Sequence, residues 1–233
     1  MAVEEKQILV IACQTIKHEL EAAMKKTGKV YPTILIDSDY HNDPDKLRMV
    51  IQENIDSAKD KKRILLGYGC CGNALVGVKA TTAELVIPKT DDCISMMLSR
   101  KGEEFNRTSN TYFLTKGWME SPKSLAGEYY RALEKYGEAK TKRIFELMLK
   151  NYEYLMIIDT GAYDLSECMG KAEEIARFTK LKLIIEQGDV WYLEKLLTGP
   201  YDNDFSIIPK GEKIKISHFG YGNIPEMKEI NVI

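Results

Sequence analysis

The sequence predicts an α/β protein with a parallel, Rossmann-like sheet, arranged as two similar βαβ lobes. Short apolar runs rich in β-branched residues recur along the chain, as in strands that are buried on both faces. Stretches with apolar residues at helical spacing separate these runs. The two halves also share a layout, since LLGYG before LVIPK corresponds to LIIEQG before SIIPK. We therefore predict an N-terminal lobe over residues 1–120, and a helical connection with a second lobe over residues 121–233.

In the first lobe, five apolar runs predict strands at 7–12, 33–36, 64–66, 85–88 and 111–115. A helix is predicted from Ile16 to Met24, where apolar side chains share one face. Asp43 is a suitable N-cap and Pro44 a suitable first residue for a helix that reaches about Lys59. A short amphipathic helix is predicted after the Gly-rich turn that follows the third strand. A second short helix is predicted over 94–98.

The second lobe opens with two helical patterns between Pro122 and Asn151, where no strand pattern occurs. A strand, helix and strand are then predicted over 154–158, 166–180 and 181–185. A further helix follows Asp189 and ends near Leu197, and the last strand covers 205–208. None of the turns after these strands contains a cysteine, so we expect the chemistry in the first lobe or between the lobes.

The composition is that of an ordinary globular protein of 233 residues, with 33 basic and 35 acidic side chains. This balance gives no sign of binding to nucleic acid or to an anionic membrane. No apolar run approaches the about 18 residues that cross a bilayer, and the first residues lack signal-peptide character. We expect a cytoplasmic protein. The 5 cysteines, an odd number, then indicate ligands or nucleophiles rather than a disulfide framework.

Three cysteine positions follow strands that a parallel sheet brings to the same edge: Cys13, Cys70 or Cys71, and Cys93. Cys70 and Cys71 cannot both point inward easily. Three thiolates could bind an iron-sulfur cluster with one open iron, or a zinc ion with a free fourth position. The alternative for each cysteine is packing, because free cysteines are among the most buried residues. Packing is the expected role of Cys168, which lies in a helical pattern.

Other polar residues near these turns have two interpretations each. His41 follows the second strand and could be a fourth ligand or an acid/base group, although isolated surface histidines are usually inert. Asp92 could cap the helix that begins at Cys93 or hydrogen-bond a substrate, and Asn73 could likewise cap or act in catalysis. We keep His41, Asp92 and Asn73 as candidate catalytic residues.

The same turn supports a competing hypothesis, because residues 67–72 satisfy the GxGxxG pattern of dinucleotide-binding folds. Gly69 and Gly72 would then let a pyrophosphate approach a helix N-terminus, and Asp91 would be the ribose-binding acid. The pattern normally opens the first βαβ unit of a fold, which is not its place here.

These motifs together resemble the uncharacterised family called domain of unknown function 1638. The similarity is carried by YGCCGN at 68–73, VIPK with DC at 86–93, TYFLT with GW at 111–118, Cys13 and HNDP at 41–44. The sequence departs from the family pattern at Asp91, where histidine is usual. The resemblance selects Cys71 rather than Cys70 as the ligand. It also implies a setting in methanogens and other anaerobes, beside corrinoid-dependent methyltransferases.

Our leading hypothesis is a metal-centre protein of anaerobic corrinoid or one-carbon metabolism, in which Cys13, Cys71 and Cys93 hold the centre. An iron-sulfur cluster of the 4Fe-4S type is the first choice and zinc the second. If the protein is an enzyme, it is a metal-dependent lyase, hydrolase or methyl transferase acting on a small molecule. The alternatives are a non-catalytic accessory protein that binds a corrinoid protein or methyltransferase, and a dinucleotide-binding oxidoreductase.

Overall fold

The structure, a computed structural model, describes residues 3–101, 105 and 107–220, without the side chains of residues 41 and 42. Within these residues the strands are β1 (Ile8–Cys13), β2 (Thr33–Ile36), β3 (Arg63–Gly67), β4 (Glu84–Pro88), β5 (Thr111–Leu114), β6 (Tyr154–Asp159), β7 (Lys182–Gln187) and β8 (Phe205–Ile208). The α-helices are α1 (Lys17–Thr27), α2 (Pro44–Ser57), α3 (Cys93–Leu98), α4 (Lys116–Glu120), α5 (Leu125–Tyr136), α6 (Glu138–Met148), α7 (Ser166–Thr179) and α8 (Trp191–Thr198).

The strands form two sheets that are mostly parallel. The first has the order β2-β1-β3-β4-β8, in which only the edge strand β8 is antiparallel to its neighbour. The second has the order β5-β6-β7 and is entirely parallel. The chain passes from β1 to β2 on one side and then to β3 on the other, so the strand order reverses between β1 and β3. The predicted α/β, Rossmann-like fold class is confirmed.

The helix after β2 follows from its local sequence. A carboxylate oxygen of Asp43 accepts a hydrogen bond from the backbone N–H of Lys46 at 3.1 Å, and Pro44 occupies the first turn. Leu47, Ile51 and Ile55 form the buried face of α2. The predicted start of this helix is therefore confirmed, and its predicted end is confirmed within two residues.

The helix predicted between β3 and β4 is wrong, because residues 71–77 form consecutive turns. Cys71, Gly72, Asn73 and Gly77 have φ angles of 48°, 63°, 69° and 91°. These left-handed conformations cannot continue a right-handed α-helix. A short helix that the sequence did not predict, α4, instead follows β5.

The sheets do not divide along the chain at residue 120. β5 pairs with β6 in the second sheet, whereas β8 returns to pair with β4 in the first. Helix α8, which follows β7, also contacts β3, β4 and α1. The division into residues 1–120 and 121–233 stays a prediction about domains, and the strands of the two sheets cross it.

The second sheet lies between two hydrophobic cores. Leu155 and Ile157 of β6 belong to the core formed with α4 to α7, whereas Met156 and Ile158 pack against the core of the first sheet. This alternation follows from the period of two residues in a strand. Among the described residues, no helix has the length and apolar character needed to cross a bilayer.

Candidate thiol site

Three strand ends bring Cys13, Cys71 and Cys93 to the edge where the strand order reverses. Cys13 is the last residue of β1, Cys71 follows β3, and Cys93 begins α3 after β4. In open α/β sheets, ligands bind in the crevice outside the carboxyl ends of the strands at such a reversal. The thiols therefore occupy the place in the fold where a bound group is expected.

The turns after β3 and β4 are joined by their backbones. The N–H groups of Cys70 and Cys71 donate to the carbonyl oxygens of Thr90 and Asp91, at 2.9 and 2.7 Å. Gly69 permits this approach, because a Cβ atom there would lie 2.6 Å from the backbone nitrogen of Asp92. The joined turns hold the residues that carry the second and third thiols close together.

The glycines predicted to bind a cofactor have other surroundings. Gly69 packs against protein backbone, and Gly72 is exposed on the turn with a φ of 63°. Since turns rather than a helix follow β3, no helix N-terminus is present there to receive a pyrophosphate. The geometry around Gly69 and Gly72 thus gives no support to the dinucleotide hypothesis.

A hydroxyl group links two of the thiols. The Thr15 hydroxyl donates a hydrogen bond to the Cys13 sulfur at 3.0 Å, and it also interacts with the thiol of Cys93. Both cysteines and Thr15 are buried. The sulfur atoms of Cys13 and Cys93 therefore approach the same small polar group.

The three thiols influence one another electrostatically. Burial is the main reason that the pKa of each thiol is raised. For Cys71 and Cys93, the charge of Asp92 raises the pKa further, and so do interactions among Cys13, Cys71 and Cys93 themselves. All three groups are therefore neutral thiols near pH 7 in the protein alone.

The phenol of Tyr68 faces this group of thiols without a hydrogen-bond partner. Tyr68 is 2% exposed, and its hydroxyl has no partner among the described residues. Burial raises its pKa well above the usual value, and Cys13, Cys71 and Cys93 raise it further. An unpartnered buried hydroxyl is costly, so this donor indicates that the pocket is suited to a group that can accept a hydrogen bond.

Cys70 and Cys168 do not join this set. The Cys70 sulfur donates to the Asn73 side-chain oxygen at 3.4 Å, and the charge that raises its pKa, after burial, is that of Asp91. Cys168 lies in α7 and packs in the core of the second sheet. The positive φ of Cys71 turns neighbouring cysteines toward different surroundings, and Cys71 is the one directed at the other two thiols.

The candidate catalytic residues have distinct positions. Asp92 caps α3, since its Oδ1 accepts from the Ser95 backbone N–H at 3.0 Å, and its Oδ2 pairs with Arg107. Asn73 is exposed and accepts a hydrogen bond from Arg48 at its carbonyl oxygen. His41 lies in a 3-10 helix over Ser38–Asn42, and its side chain lies outside the described residues. Of the three candidates, only Asp92 is shown close to the thiols of Cys71 and Cys93.

The described side chains do not form a ready-made metal site. Of the side chains that the structure describes, no group of three or more His, Cys, Asp or Glu residues is placed so that it could hold one metal ion. Cys13 and Cys93 instead approach the Thr15 hydroxyl. The assignment of Cys13, Cys71 and Cys93 as ligands stays a prediction.

A cavity of about 340 Å³, which we call the inter-sheet cavity, opens beside this site. Its wall includes Thr15 and Cys93, which follow strands of the first sheet, and three aromatic residues in or near strands of the second sheet: Tyr112, Trp118 and Tyr152. Asp92 and Arg107 also line it. A small molecule in this cavity would lie next to the Cys93 end of the thiol group.

Several residues of the site were missing from the sequence prediction. Thr15 carries the hydroxyl between the thiols, and Tyr68 supplies the unpartnered phenol. The Thr115 hydroxyl donates to the Thr15 carbonyl oxygen at 3.2 Å, and Gly117 packs against the same carbonyl. The sequence signal for the contact between Thr15 and Cys13 is their spacing, since Thr15 stands two residues after the cysteine that ends β1. Thr115 and Gly117, which pack against Thr15, are about 100 residues away along the chain, so no local pattern indicates them.

Fold and site together define a Rossmann-like α/β protein with a group of cysteine thiols at the point where the strand order reverses. The family described as "Protein of unknown function (DUF1638)" matches residues 35–197, and the chain belongs to this family. The match covers Cys71 and Cys93 but begins after Cys13. No curated protein and no solved structure matches the chain.

Proposed function

We propose that Cys13, Cys71 and Cys93 bind an inorganic centre at the reversal of strand order, with an iron-sulfur cluster as the first choice and zinc as the second. The observation that carries the proposal is the convergence of three thiols from three separate strand ends. Each is close enough to the others to affect their pKa values. Packing cysteines have no need to meet at the ligand-binding edge of a sheet.

The charge and hydrogen bonding of the pocket fit such a centre. Cysteines bind metal as thiolates, and burial opposes this ionisation until a cation replaces the proton. Burial raises the pKa of each thiol because it disfavours the charged thiolate, and the positive charge of the metal would stabilise that thiolate. The unpartnered phenol of Tyr68 would donate to a sulfur atom or to a ligand of the centre, and such hydrogen bonds tune iron-sulfur clusters.

An iron-sulfur cluster and a zinc ion use three cysteines differently. Zinc binds thiolates at about 2.3 Å, which places the sulfur ligands of one ion about 4 Å apart. In a cluster each cysteine binds a different iron atom, so wider separations are accepted. The order of our two choices, cluster before zinc, is therefore a question for metal and sulfide analysis.

Cys13, Cys71 and Cys93 would hold such a centre with one coordination position left for a small molecule, and the centre would supply a Lewis acid there. The residues of this chain would do the remaining work. Tyr68 would donate a hydrogen bond to the centre or to its ligand. Asp92, which caps α3 and lines the inter-sheet cavity, would accept a hydrogen bond from the small molecule. An enzyme of this kind would be a lyase, a hydrolase or a methyl transferase. A corrinoid or one-carbon pathway is the setting that we propose for it.

The second candidate is a non-catalytic accessory protein that uses the same centre to dock on a corrinoid protein or methyltransferase. Turnover of a small molecule distinguishes the enzyme from the accessory protein. An enzyme changes its substrate without a protein partner, whereas an accessory protein shows stable association with its partner and no turnover of its own.

Cys71→Ala is expected to abolish metal retention, whereas Cys70→Ala is expected to retain the metal of the wild type. The side chains of these neighbouring cysteines face different surroundings, since the thiol of Cys71 interacts with that of Cys13 and the thiol of Cys70 does not. The measurement is iron, sulfide and zinc content per chain after anaerobic purification. Cys71→Ala keeps the same backbone conformation, so we expect a folded protein by circular dichroism.

Two results would refute the proposal: equal metal content in wild type and Cys71→Ala, or no stoichiometric metal in the anaerobic wild type. Iron and sulfide in comparable amounts identify a cluster, and one zinc per chain identifies the second choice. Cys168→Ala serves as a further control, because its thiol lies in the core of the second sheet.

Tyr68→Phe is expected to raise the free energy of unfolding of the metal-free protein by about 1 kcal/mol, since it removes a buried hydroxyl that has no partner. In the metal-loaded protein the same change removes a hydrogen bond to the centre, so we expect faster metal loss to a chelator. Urea unfolding measures the first effect, and the rate of metal release measures the second. Equal release rates in Tyr68→Phe and wild type would exclude this role of the phenol.

A further inference from the structure

The inter-sheet cavity has walls suited to a small organic molecule. Aromatic rings of Tyr112, Trp118 and Tyr152 provide apolar surface, and the hydroxyl-bearing side chains of Thr108, Ser109 and Thr111 provide hydrogen bonding. Its volume of about 340 Å³ is at the small end of the range for ligand sites. A compact molecule with both an apolar and a polar part would match these walls.

Arg107 is the one basic residue among the described residues that line this cavity. Its guanidinium lies over the ring of Phe113, 5.2 Å from the ring centre. Only Nη2 donates to Asp92, while Nε and Nη1 have no partner among the residues that the structure describes. A guanidinium that uses one nitrogen and is held by an aromatic ring has two further nitrogens for a ligand.

The charged side chains of the cavity favour a monoanion over a dianion. Arg107 contributes one positive charge, and Asp92 is the one acidic residue among the described lining residues. A carboxylate matches the planar geometry of the guanidinium, and Arg107 can bind it through N–H groups that Asp92 does not use. A phosphate ester would bring a second negative charge toward Asp92 without a second cation on the described wall.

From these contacts we infer that the inter-sheet cavity binds a small carboxylic acid, with its carboxylate on Arg107 and its apolar part against the aromatic rings. Arg107 keeps its Nη2 on Asp92, and Asp92 is itself held by the hydrogen bond between its Oδ1 and the start of α3. The far end of the acid then points to Thr15 and Cys93. The inference rests on the proposed function in one respect, since it makes this acid the small molecule presented to the inorganic centre.

Trp118 provides a direct measurement of binding. The chain has 2 tryptophans, and only Trp118 lines the cavity, whereas the indole N–H of Trp191 donates to the Ser99 carbonyl oxygen. The probes are butyrate, 3-hydroxybutyrate and benzoate at millimolar concentration, each paired with its uncharged amide. In a ¹H–¹⁵N spectrum of the full chain, the acids are expected to shift the indole signal of Trp118 and leave that of Trp191 unchanged.

Arg107→Ala is expected to weaken acid binding about tenfold or more, since it removes a charged hydrogen-bond donor. Arg107→Lys should recover only part of the affinity, because lysine lacks the planar fork. Arg131→Ala is the matched control. Arg131 also pairs with an acidic residue and has a similarly exposed side chain, at 45% against 41% for Arg107, but it lies in α5 away from the cavity.

Three results would overturn the inference: no acid shifts Trp118, the amides bind as well as the acids, or Arg107→Ala binds like Arg131→Ala. Tighter binding of phenylphosphonate than of benzoate would overturn the carboxylate assignment. The same titration with Cys71→Ala separates this inference from the proposed function. An Arg107-dependent acid signal supports the cavity as an acid site even if Cys71→Ala retains the metal of the wild type.

Discussion

Gly117→Ala is expected to lower the free energy of unfolding by about 3 kcal/mol. Gly117 is buried in α4, and a Cβ atom there would lie 2.3 Å from the carbonyl oxygen of Thr15 and 2.7 Å from its carbonyl carbon. Both atoms belong to the backbone, so neither can avoid the clash by rotating a side chain. Helix α4 must therefore move away from Thr15, whose hydroxyl donates to Cys13.

Urea unfolding measures this effect, with Gly170→Ala as the control. Gly170 is exposed in α7, and no atom lies within 4 Å of a Cβ built there. Because alanine favours a helix interior over glycine, this control is expected to gain about 0.5 to 1 kcal/mol. Equal stability of Gly117→Ala and wild type would contradict the close contact between α4 and Thr15.

Glu19→Gln is expected to raise the free energy of unfolding at about pH 8 by about 2 to 3 kcal/mol. Glu19 is 0% exposed, Thr160 donates to its Oε1 at 3.5 Å, and its Oε2 has no partner among the described residues. Burial raises the pKa of this carboxyl from 4.5 to about 7, with a smaller rise from Glu120 and an opposing effect of His18. At pH 8 the wild type therefore holds a buried carboxylate that glutamine replaces with a neutral amide.

The direction of the pH dependence follows from where the proton is held more tightly. Between about pH 4.5 and 7 the folded protein keeps a proton on Glu19 that the unfolded chain has released. Through Glu19, the stability of the wild type thus falls as the pH rises through this window and stays low above it. The difference between Glu19→Gln and wild type should be small at about pH 5 and large at about pH 8.

Glu21→Gln is the control for this prediction, because Glu21 is on the same helix but exposed. Urea unfolding of the three proteins at both pH values is the measurement. If the advantage of Glu19→Gln over wild type is the same at pH 5 and pH 8, the raised pKa of Glu19 is refuted. If Glu21→Gln shows the same change with pH, the effect belongs to the surface of α1.

The accuracy of the sequence prediction depended on whether the signal was local. Helix α2 was predicted closely because its cap, its first-turn proline and its buried face lie within the helix itself. The turn at 71–77 was predicted as a helix because its apolar spacing is helical, although its left-handed residues exclude one. Glu19 was missed because nothing in its neighbourhood along the chain indicates that Thr160 and the second sheet will bury it.

By itself, the sequence determined the α/β class, the eight strands of the described residues and the presence of cysteines after three strands, since these follow from the order of residues along short stretches. Only the tertiary structure decided which sheet β5 and β8 join, and which side chains lie beside the thiols. Those outcomes depend on contacts between distant residues, such as Thr15 with Thr115 and Gly117, and such contacts leave no pattern in a single local stretch.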